Sequence, residues 1–422
     1  MYKIFLTLAI LCFFNFLPVI GQTELAQITV NAGPYDRNDI VVQASLDGLN
    51  LDIANSTLVL VEVIKGKETI TKAALVIDDG HKLIWRITGK TPAGTVKKYS
   101  LRSQNSRDAE AANPVSIDRL GNNLLVRYGD KNILQYNFDE APVPKGASPL
   151  FRRGGFIHPL WTPKGEVLTR IQPPDHYHHM GLWNPWTHTE YNGKIIDFWN
   201  LIKGEGTVKP VSVTSITENP YYAGFKVLHD HVDLNGVTAD GFLVILKEKW
   251  DVKVWDAGPD FRVIDFVSTF NNVTDSVFTI KEYRYQGFGL RATEKWNDGT
   301  AKIITSDGKD KSTGNGTRAR WCDINGESVA GTSGVVFMTN PSNYNFPEPI
   351  RIWPTGTNGK VEDVFFNFNP AMDRDWVIKP HQNYQLRYRM LLYDGSVSVE
   401  QVERLWRDYA YPPAVSVVPV QK

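Results

Sequence analysis

The chain has 422 residues, with 46 Lys and Arg against 46 Asp and Glu, so its formal net charge is +0 at pH 7. This balance leaves no excess of positive charge for nucleic acid or for an anionic membrane, and we expect no nucleic-acid partner. Hydrophobic residues make up 42% and charged residues 22% of the chain, which excludes a largely disordered protein and allows two or three domains. Aromatic residues reach 12% and include 12 Trp, which favours a surface for flat, partly apolar ligands.

Residues 1–21 have the pattern of a signal peptide. Lys3 gives a positive start, residues 4–20 form an apolar run, and cleavage is expected near Gly21. An uncleaved anchor is the alternative, although the run is shorter than the roughly 20 residues that a bilayer requires. Cys322 is then the one cysteine left, which fits a large protein of the bacterial periplasm. We expect a periplasmic or secreted protein with no membrane insertion after cleavage.

Residues 23–110 predict a small N-terminal β-sandwich. Short alternating runs occupy residues 58–64, 74–77 and 82–87, and the last two flank Asp78-Asp79-Gly80, a hairpin signal because Gly accepts a positive φ. Residues 104–114 are polar and poor in β-branched residues, which predicts a linker into a second domain.

Residues 115–410 predict a larger antiparallel β-supersandwich that contains the active site. Residues 384–393 alternate apolar and polar side chains, as a half-buried strand does. Residues 261–270 and 277–285 predict two more strands, joined by a turn at Asn271-Asn272. The absence of crossover helices argues against a parallel α/β fold and indicates an all-β protein.

One short C-terminal helix is expected over residues 398–409. Ser398 and Gln401 form a capping box, an apolar stripe follows at helical spacing, and a pair of prolines ends the segment.

Residues 175–188 are the most unusual segment, because they hold four of the nine histidines, His176, His178, His179 and His188. His176 and His178 are two apart, so on a strand both would leave the same face. Imidazoles suit proton transfer near neutral pH and, in the neutral form, metal binding. A well-packed core loop is the alternative.

Aromatic residues close to this segment predict a platform for a sugar. Trp183 and Trp186 are expected to stack on the apolar face of a pyranose ring. Asp175 is a further candidate for substrate binding.

His229 and His231 repeat the spacing of two, but their polar surroundings favour an exposed strand end. If they converged on the first group, they would form a metal site with Asp175 or Glu282. No zinc motif occurs, so no cofactor is predicted and a divalent metal stays an open alternative.

Glu282, Arg284 and Gln286 alternate along a predicted strand and are expected to line a concave sheet or a solvated face. Arg153 precedes two glycines that allow close approach of a ligand, and it is expected to hold a carboxylate or sugar hydroxyls, with His158 nearby. Motifs for serine acyl transfer, nucleoside triphosphate chemistry and dinucleotide binding are absent from the sequence.

Residues 175–183 (Asp-His-Tyr-His-His-Met-Gly-Leu-Trp), with residues 156–160, 318–321 and 334–343, resemble the secreted bacterial PmoA-like family, often labelled methane oxygenase. The resemblance covers roughly residues 115–395. The predicted sandwich is also similar to galactose-mutarotase-like supersandwiches, and this similarity implies that a histidine and a carboxylate act on a sugar ring.

We therefore expect a periplasmic carbohydrate-active enzyme, a glycoside hydrolase, lyase or epimerase-like protein, that acts on a plant or microbial glycan fragment. The expected catalytic residues are His176, His178, His179 and Glu282. The expected substrate-binding residues are Arg153, His158, Asp175, Trp183, Trp186 and Arg284. A carbohydrate-binding protein without turnover is the first alternative, and a metal-dependent oxidoreductase is the second. The sequence does not set the oligomeric state.

Overall fold

The fold is taken from a computed structural model. It describes residues 22–52, 57–78, 80–104, 113–239, 241–356 and 363–420. Within these ranges the chain forms 28 β-strands, all paired antiparallel, and one α-helix. The all-β prediction is confirmed. Residues 1–21 and most of the predicted linker lie outside the described residues, so the signal peptide and the domain boundary stay predictions.

The first seven strands form the small N-terminal sandwich. They are β1 Thr23–Asn31, β2 Arg37–Ser45, β3 Thr57–Ile64, β4 Lys67–Thr71, β5 Ala73–Ile77, β6 His81–Thr91 and β7 Val96–Gln104. Strands β2, β6 and β5 make a three-stranded sheet, while β1, β7, β3 and β4 belong to a five-stranded sheet. Inward side chains of both sheets, such as Ile28, Val42 and Trp85, share one hydrophobic core.

The remaining elements build the larger sandwich and the chain end. They are β8 Val115–Leu120, β9 Asn123–Tyr128, β10 Lys131–Asn137, β11 Phe156–Leu160, β12 Leu182–Trp183, β13 Thr189–Tyr191, β14 Lys194–Ile196, β15 Gly206–Asn219, β16 Tyr222–Thr238, β17 Gly241–Trp255, β18 Phe261–Asn272, β19 Phe278–Ile280, β20 Gly289–Arg291, β21 Ala301–Thr305, β22 Trp321–Ser328, β23 Gly331–Thr339, β24 Ile350–Ile352, β25 Phe365–Phe368, β26 Trp376–Ile378, β27 Asn383–Asp394, α1 Val399–Ala410 and β28 Ala414–Pro419.

Two eight-stranded sheets face each other. The front sheet has the order β24-β25-β20-β12-β11-β10-β9-β8, and the back sheet has the order β15-β16-β17-β18-β27-β23-β22-β21. A four-stranded sheet, β14-β13-β19-β26, lies beside them. Leu290 and Phe366 of the front sheet share a core with Trp250, Phe266 and Leu386 of the back sheet. The core therefore fills the space between the two sheets, and the outer face of the front sheet is left for other packing.

The predicted helix forms as α1. Ser398 accepts a hydrogen bond from the Gln401 backbone N–H at 3.1 Å, which is the expected cap. Val402 and Trp406 are buried against the outer side of β27, where Leu391 and Tyr393 lie. This packing explains why buried and exposed side chains no longer alternate in the second half of β27, where both faces of the strand are covered.

Two details of the predicted strands are wrong. Asn271 and Asn272 make no turn, because both are paired within the long strand β18. The predicted strand at residues 277–285 shrinks to β19, which pairs with β13 and β26 instead of with β18. Residues 281–288 follow as an irregular segment that leads into β20 of the front sheet.

The last strand returns to the first. Strand β28 pairs antiparallel with β1, from Ala26 opposite Pro419 to Asn31 opposite Ala414. The larger sandwich is thereby tied to the N-terminal one by the chain end as well as by its beginning.

Among the described residues, no helix is both long and apolar enough to cross a membrane.

Candidate active site

The predicted histidines pack on the outer face of the front sheet. In an antiparallel sheet, directly paired residues point to the same side, and neighbours along a strand point to opposite sides. Leu182, Leu290 and Phe366 are paired in register and enter the core. The alternate residues Arg291 and Phe365, which also pair with each other, therefore point outward. The side chains on this outer face contact the segment that carries the histidines.

The histidines lie in an irregular loop instead of a strand. The backbone N–H of His176 donates to the carbonyl of Pro173 at 2.9 Å, and that of His179 donates to the carbonyl of His176 at 2.9 Å. The prediction that His176 and His178 leave one face of a strand is therefore wrong. Consecutive turns bring the imidazoles together instead.

Gly181 fixes the end of this loop on the sheet. Its φ is +67°, and a Cβ at this position would lie 2.6 Å from the carbonyl oxygen of Ile157. Its N–H donates to the carbonyl of Arg170 at 3.0 Å, and its carbonyl accepts from the N–H of Arg291 at 2.8 Å. Only glycine combines this backbone conformation with so close an approach.

The rings of His176, His178 and His179 form what we call the histidine cluster. His176 and His179 are stacked with ring centroids 4.6 Å apart and planes at 16°. The ring of His178 stands edge-on to both, at 5.4 Å from His176 and 4.8 Å from His179. Three imidazoles therefore share one small volume, as their sequence clustering suggested.

Asp175 joins the cluster to a buried arginine. Its Oδ2 accepts from His176 Nδ1 at 2.7 Å, and Arg291 Nη2 lies 2.9 Å from Oδ2 and 3.1 Å from Oδ1. Arg291 is completely buried and also pairs with Asp363. Burial raises the pKa of Asp175, but the hydrogen bond from His176 and the charge of Arg291 outweigh it and hold this pKa well below its usual value. Asp175 is therefore an ionised acceptor.

The pKa values of the other two histidines are depressed. Burial lowers the pKa of His178 to about 3, and the neighbouring charge of His176 acts in the same direction. Burial lowers the pKa of His179 well below its usual value, and Arg291 Nη1 lies 3.4 Å from its Nδ1. His178 and His179 are thus neutral at pH 7. His176, with a quarter of its side chain exposed, is the member with a carboxylate partner.

Aromatic side chains surround the cluster. They are Trp183, Trp199, Trp353 and Phe365. The ring of Trp353 lies 4.9 Å from that of His176 and also covers the guanidinium of Arg291 at 4.8 Å. Phe365 stacks on His179 at 5.1 Å. The cluster therefore has an apolar floor, which restricts water around the buried imidazoles.

The two predicted stacking residues are both fully buried. Trp183 forms part of the floor, 5.1 Å from the ring of His179. Trp186 lies in the main core, where its ring packs against Phe270 and Trp376. Neither ring presents a face to a sugar in this structure, so the expected platform is not made by these two residues.

Glu282 is not brought to the histidine cluster. Its side chain is exposed, while its backbone carbonyl lies 3.4 Å from His188 Nδ1 and its backbone N–H donates to Asp375 at 2.8 Å. The expected acid-base pair of Glu282 with a cluster histidine is therefore absent from the described part of the chain. His188 is also separate, with its ring 5.4 Å from Tyr283.

The expected alternation of Arg284 and Gln286 with Glu282 is wrong, because the segment is irregular. Gln286 is buried and ties the segment down, donating to the carbonyl of Lys281 at 2.7 Å. Arg284 is exposed, and its guanidinium lies 5.5 Å from the ring of Tyr285. Tyr285 in turn packs against Trp199, so Arg284 borders the aromatic floor.

Arg153 is buried, with its Nη1 donating to the carbonyl of Phe198 at 3.2 Å. Burial lowers its pKa to about 10. The following glycines serve packing, because a Cβ on Gly155 would lie 2.8 Å from the ring of His229. Arg153 lines a separate cleft of about 450 Å³ that none of the cluster histidines lines. The structure thus buries Arg153 beside this cleft, away from the histidine cluster, and its predicted contact with a ligand stays a prediction.

His158 stands on the same sheet face but apart from the cluster. Its Nδ1 lies 2.8 Å from Thr169 Oγ1, and burial lowers its pKa to about 4. It is therefore a neutral, hydrogen-bonded side chain, and its predicted role in substrate binding stays a prediction.

The second histidine pair is fully buried, so the expected exposed strand end is wrong. His231 Nε2 donates to Glu248 at 2.9 Å, and His229 Nε2 lies 2.8 Å from the hydroxyl of Tyr136. This pair belongs to the interior and does not converge on Asp175 or Glu282. In the part of the chain that the structure describes, no group of three or more His, Cys, Asp or Glu side chains is arranged to hold a metal ion.

Four residues of the site were not found from the sequence. They are distant from the histidines along the chain and lie in or next to the neighbouring strands β24, β25 and β20 of the front sheet: Arg291, Trp353, Asp363 and Phe365. The alternation of residues 350–353, which puts a tryptophan two positions after an arginine, is a signal that could have located Trp353 on an outer face.

Two solved structures resemble the chain. One is described as a protein of glycosyl hydrolase family 38 from Enterococcus faecalis, with 6% identity and a TM-score of 0.43, and the alignment covers 94% of this chain and 47% of that one. The chain thus spans about half the length of that protein. The other is a galactose mutarotase related enzyme from Lactobacillus acidophilus, with 10% identity and a TM-score of 0.25, covering 67% of this chain and 98% of that one. A search of curated proteins gave no match.

The comparison with family profiles corrects the expected resemblance. The profile that matches is not that of the PmoA-like family, so that assignment is wrong. Residues 123–407, which include the histidine cluster and both large sheets except strand β8, match DUF6807, a family of unknown function, and the chain belongs to that family.

Proposed function

We propose that the protein is an exported carbohydrate-active enzyme in which His176, held by Asp175, acts as the general base. The observation that carries this proposal is the 2.7 Å hydrogen bond between the two side chains, with Arg291 on the same carboxylate. An ionised carboxylate can only accept, so the neutral form of His176 carries its hydrogen on Nδ1 and has a free lone pair on Nε2. An imidazole in this state is ready to remove a proton from a bound molecule.

The surroundings of the base favour a sugar as substrate. Rings that are half-buried border the loop, with Tyr177 5.4 Å from Phe151 on one side and Tyr285 beside Trp199 on the other. Such partly exposed rings can stack on the apolar face of a pyranose, while Tyr hydroxyls bond its hydroxyl groups.

The charges favour proton abstraction, as in an epimerase or a lyase, over hydrolysis. A glycosidase with two carboxyl groups needs one that stays protonated, with a raised pKa. The pKa of Asp175 is lowered, and Asp363 is ion-paired with Arg291 and Arg170. Asp175, the carboxylate at the histidine cluster, is therefore not prepared to donate a proton to a leaving group.

A glycan library incubated in D₂O tests this proposal. Proton abstraction by an epimerase puts deuterium on a carbon of the recovered sugar, and proton abstraction by a lyase expels the leaving group and leaves an unsaturated sugar. Proton NMR detects both products, whereas hydrolysis gives neither. We expect His176→Gln to slow the exchange by roughly a hundredfold or more. His381→Gln is the matched control, because His381 is an exposed histidine paired with Asp275. Cleavage with neither exchange nor an unsaturated product would contradict proton abstraction and favour a hydrolase.

A carbohydrate-binding protein without turnover is the second candidate, supported by the same aromatic rings. Calorimetry on the same library separates the two. A ligand that binds but is neither exchanged nor cleaved would favour the binding protein.

Export is part of the proposal and rests on the sequence of residues 1–21 alone. Expression with the native N-terminus in a bacterium should give a protein that begins near Gln22, as measured by intact mass.

A further inference from the structure

A second arginine faces outward beside the histidine cluster. On the front sheet Arg351 pairs with Asn367, and Asn367 pairs with Gly289, which is the partner of Trp183. Because paired residues share a face, Arg351 lies on the outer face with Trp183. It precedes Trp353 by two residues, so the two side chains leave the same side of the strand, about 7 Å apart along it.

Arg351 has no counter-ion among the described residues. Its Nη1 donates to Asn315 Oδ1 at 2.9 Å, and its buried Nε has no hydrogen-bond partner. Burial lowers its pKa, and the charge of Arg284 lowers it further. Arg291, by contrast, has two carboxylates on one guanidinium.

Arg284 is the neighbouring charge, and it too lacks a carboxylate partner in the described parts of the chain. Its guanidinium lies 5.5 Å from the ring of Tyr285 and 6.0 Å from that of Tyr283, and it is exposed. Arg351 has the charge of Arg284 nearby and no counter-ion, so an anion bound to Arg351 would lower the free energy of the protein.

An aromatic floor connects these arginines to the base. The ring of Trp199 covers Gly289, since a Cβ there would lie 3.3 Å from Trp199 Cη2. Trp199 lies 5.4 Å from Tyr285 and 6.2 Å from the ring of His179. A ligand on this floor therefore has arginines at one end and imidazoles at the other.

We infer that the substrate is an acidic glycan, with a uronate carboxylate held by Arg351 and Arg284 next to the sugar on which His176 acts. The inference rests on the proposed function of the histidine cluster. A carboxylate fits best, because the planar guanidinium fork matches its two oxygens.

The test uses disaccharides of glucuronate, galacturonate and mannuronate, each beside its methyl ester, which keeps the shape and removes the charge. Calorimetry should show at least one acid binding about tenfold or more tightly than its ester. Arg351→Gln and Arg284→Gln should each reduce this ratio toward one and leave binding of the ester unchanged. Arg374→Gln is the matched control, since Arg374 is exposed and paired with Asp373.

Two results would overturn the inference. One is that no acid binds more tightly than its ester. The other is that replacing the arginines weakens the binding of galactose 6-sulfate but not the binding of any uronate. If Arg351→Gln misfolds, Arg284→Gln still tests the inference, because Arg284 is on the surface and its substitution should not disturb folding. Deuterium exchange into neutral sugars without any preference for acids would leave the proposed function intact and refute only the acidic substrate. Binding of acids with neither exchange nor an unsaturated product would support the acidic ligand and contradict the proposed function.

Discussion

Asp175 divides its two oxygens between a histidine and an arginine. Oδ2 receives both His176 Nδ1 and Arg291 Nη2, while Oδ1 receives Arg291 alone. Arg291 has a second carboxylate in Asp363, so it would stay partly paired if Asp175 lost its charge. A substitution that removes the charge of Asp175 therefore leaves Arg291 paired with Asp363. The effect of the Asp175 charge on His176 can then be measured separately.

We expect Asp175→Asn to reduce kcat by about a hundredfold or more with little change in KM. An asparagine can donate its amide hydrogen to His176 Nδ1, which moves the imidazole hydrogen to Nε2 and removes the base. Steady-state kinetics measures the loss, and ¹⁵N NMR of the imidazole reports the tautomer without any substrate.

Asp275→Asn is the control for this variant. Asp275 forms an exposed pair with His381 at 2.9 Å, outside the site. Equal loss of activity in both variants, or an unchanged tautomer of His176 in Asp175→Asn, would show that the carboxylate does not set the state of the base.

At this scale the sequence located the histidines and Asp175 but not the arginine that pairs with Asp175. The clustering of His176, His178 and His179 is local and visible in the sequence. Arg291 is 116 residues from Asp175, and the pair forms only because β20 and the loop meet on the front sheet. The alternation of Glu282 with Arg284 and Gln286 predicts a strand, but the segment is irregular and turns the side chain of Glu282 to solvent.

At the scale of elements, the loop that carries the histidines depends on one glycine. We expect Gly181→Ala to destabilise the protein by about 2–4 kcal/mol, because it adds a backbone clash to the strain of a positive φ. Thermal unfolding measures this cost, and deuterium exchange should fall with it as the cluster is displaced.

Gly165→Ala is the matched substitution. Gly165 has a φ of +91°, and a Cβ added there would meet nothing within 4 Å, so this variant carries the conformational strain alone, about 1 kcal/mol. If the two variants were equally stable, the close approach of Gly181 to Ile157 would not hold the loop.

Strands with local alternation were predictable, and those set by long-range pairing were not. The alternation of β27 and the cap of α1 are local signals, and both elements formed. Strand β19 has three residues and exists because β13 and β26 pair with it on either side. No feature of its own sequence separates it from the irregular segment that follows.

At the scale of the whole molecule, stability should depend on a buried acid far from the cluster. Glu348 is completely buried, accepts from the hydroxyl of Tyr388 at 2.6 Å, and burial raises its pKa to about 8. Between pH 4.5 and 8 the folded state then binds more protons than the unfolded state, so the free energy of unfolding falls as pH rises through this window.

We expect Glu348→Gln to flatten this decline, because an amide cannot ionise. The melting temperatures of the wild type and the variant should converge or cross between about pH 5.5 and 8.5. Glu140→Gln, at an exposed position, should follow the wild type at every pH. A wild-type melting temperature that rises steadily over this range, with the same slope in Glu348→Gln, would show that Glu348 ionises as it does in the unfolded chain.

The pairing of β28 with β1 has a consequence for the order of assembly. Strand β1 is among the first parts of the described chain to be synthesised, and its outer edge is covered by residues 414–419, which are among the last. Until then β1 presents free N–H and C=O groups along one edge, to which a strand of another chain could add. The newly made chain must therefore be protected from such pairing over nearly its entire synthesis, and any truncation before residue 414 leaves that edge open permanently.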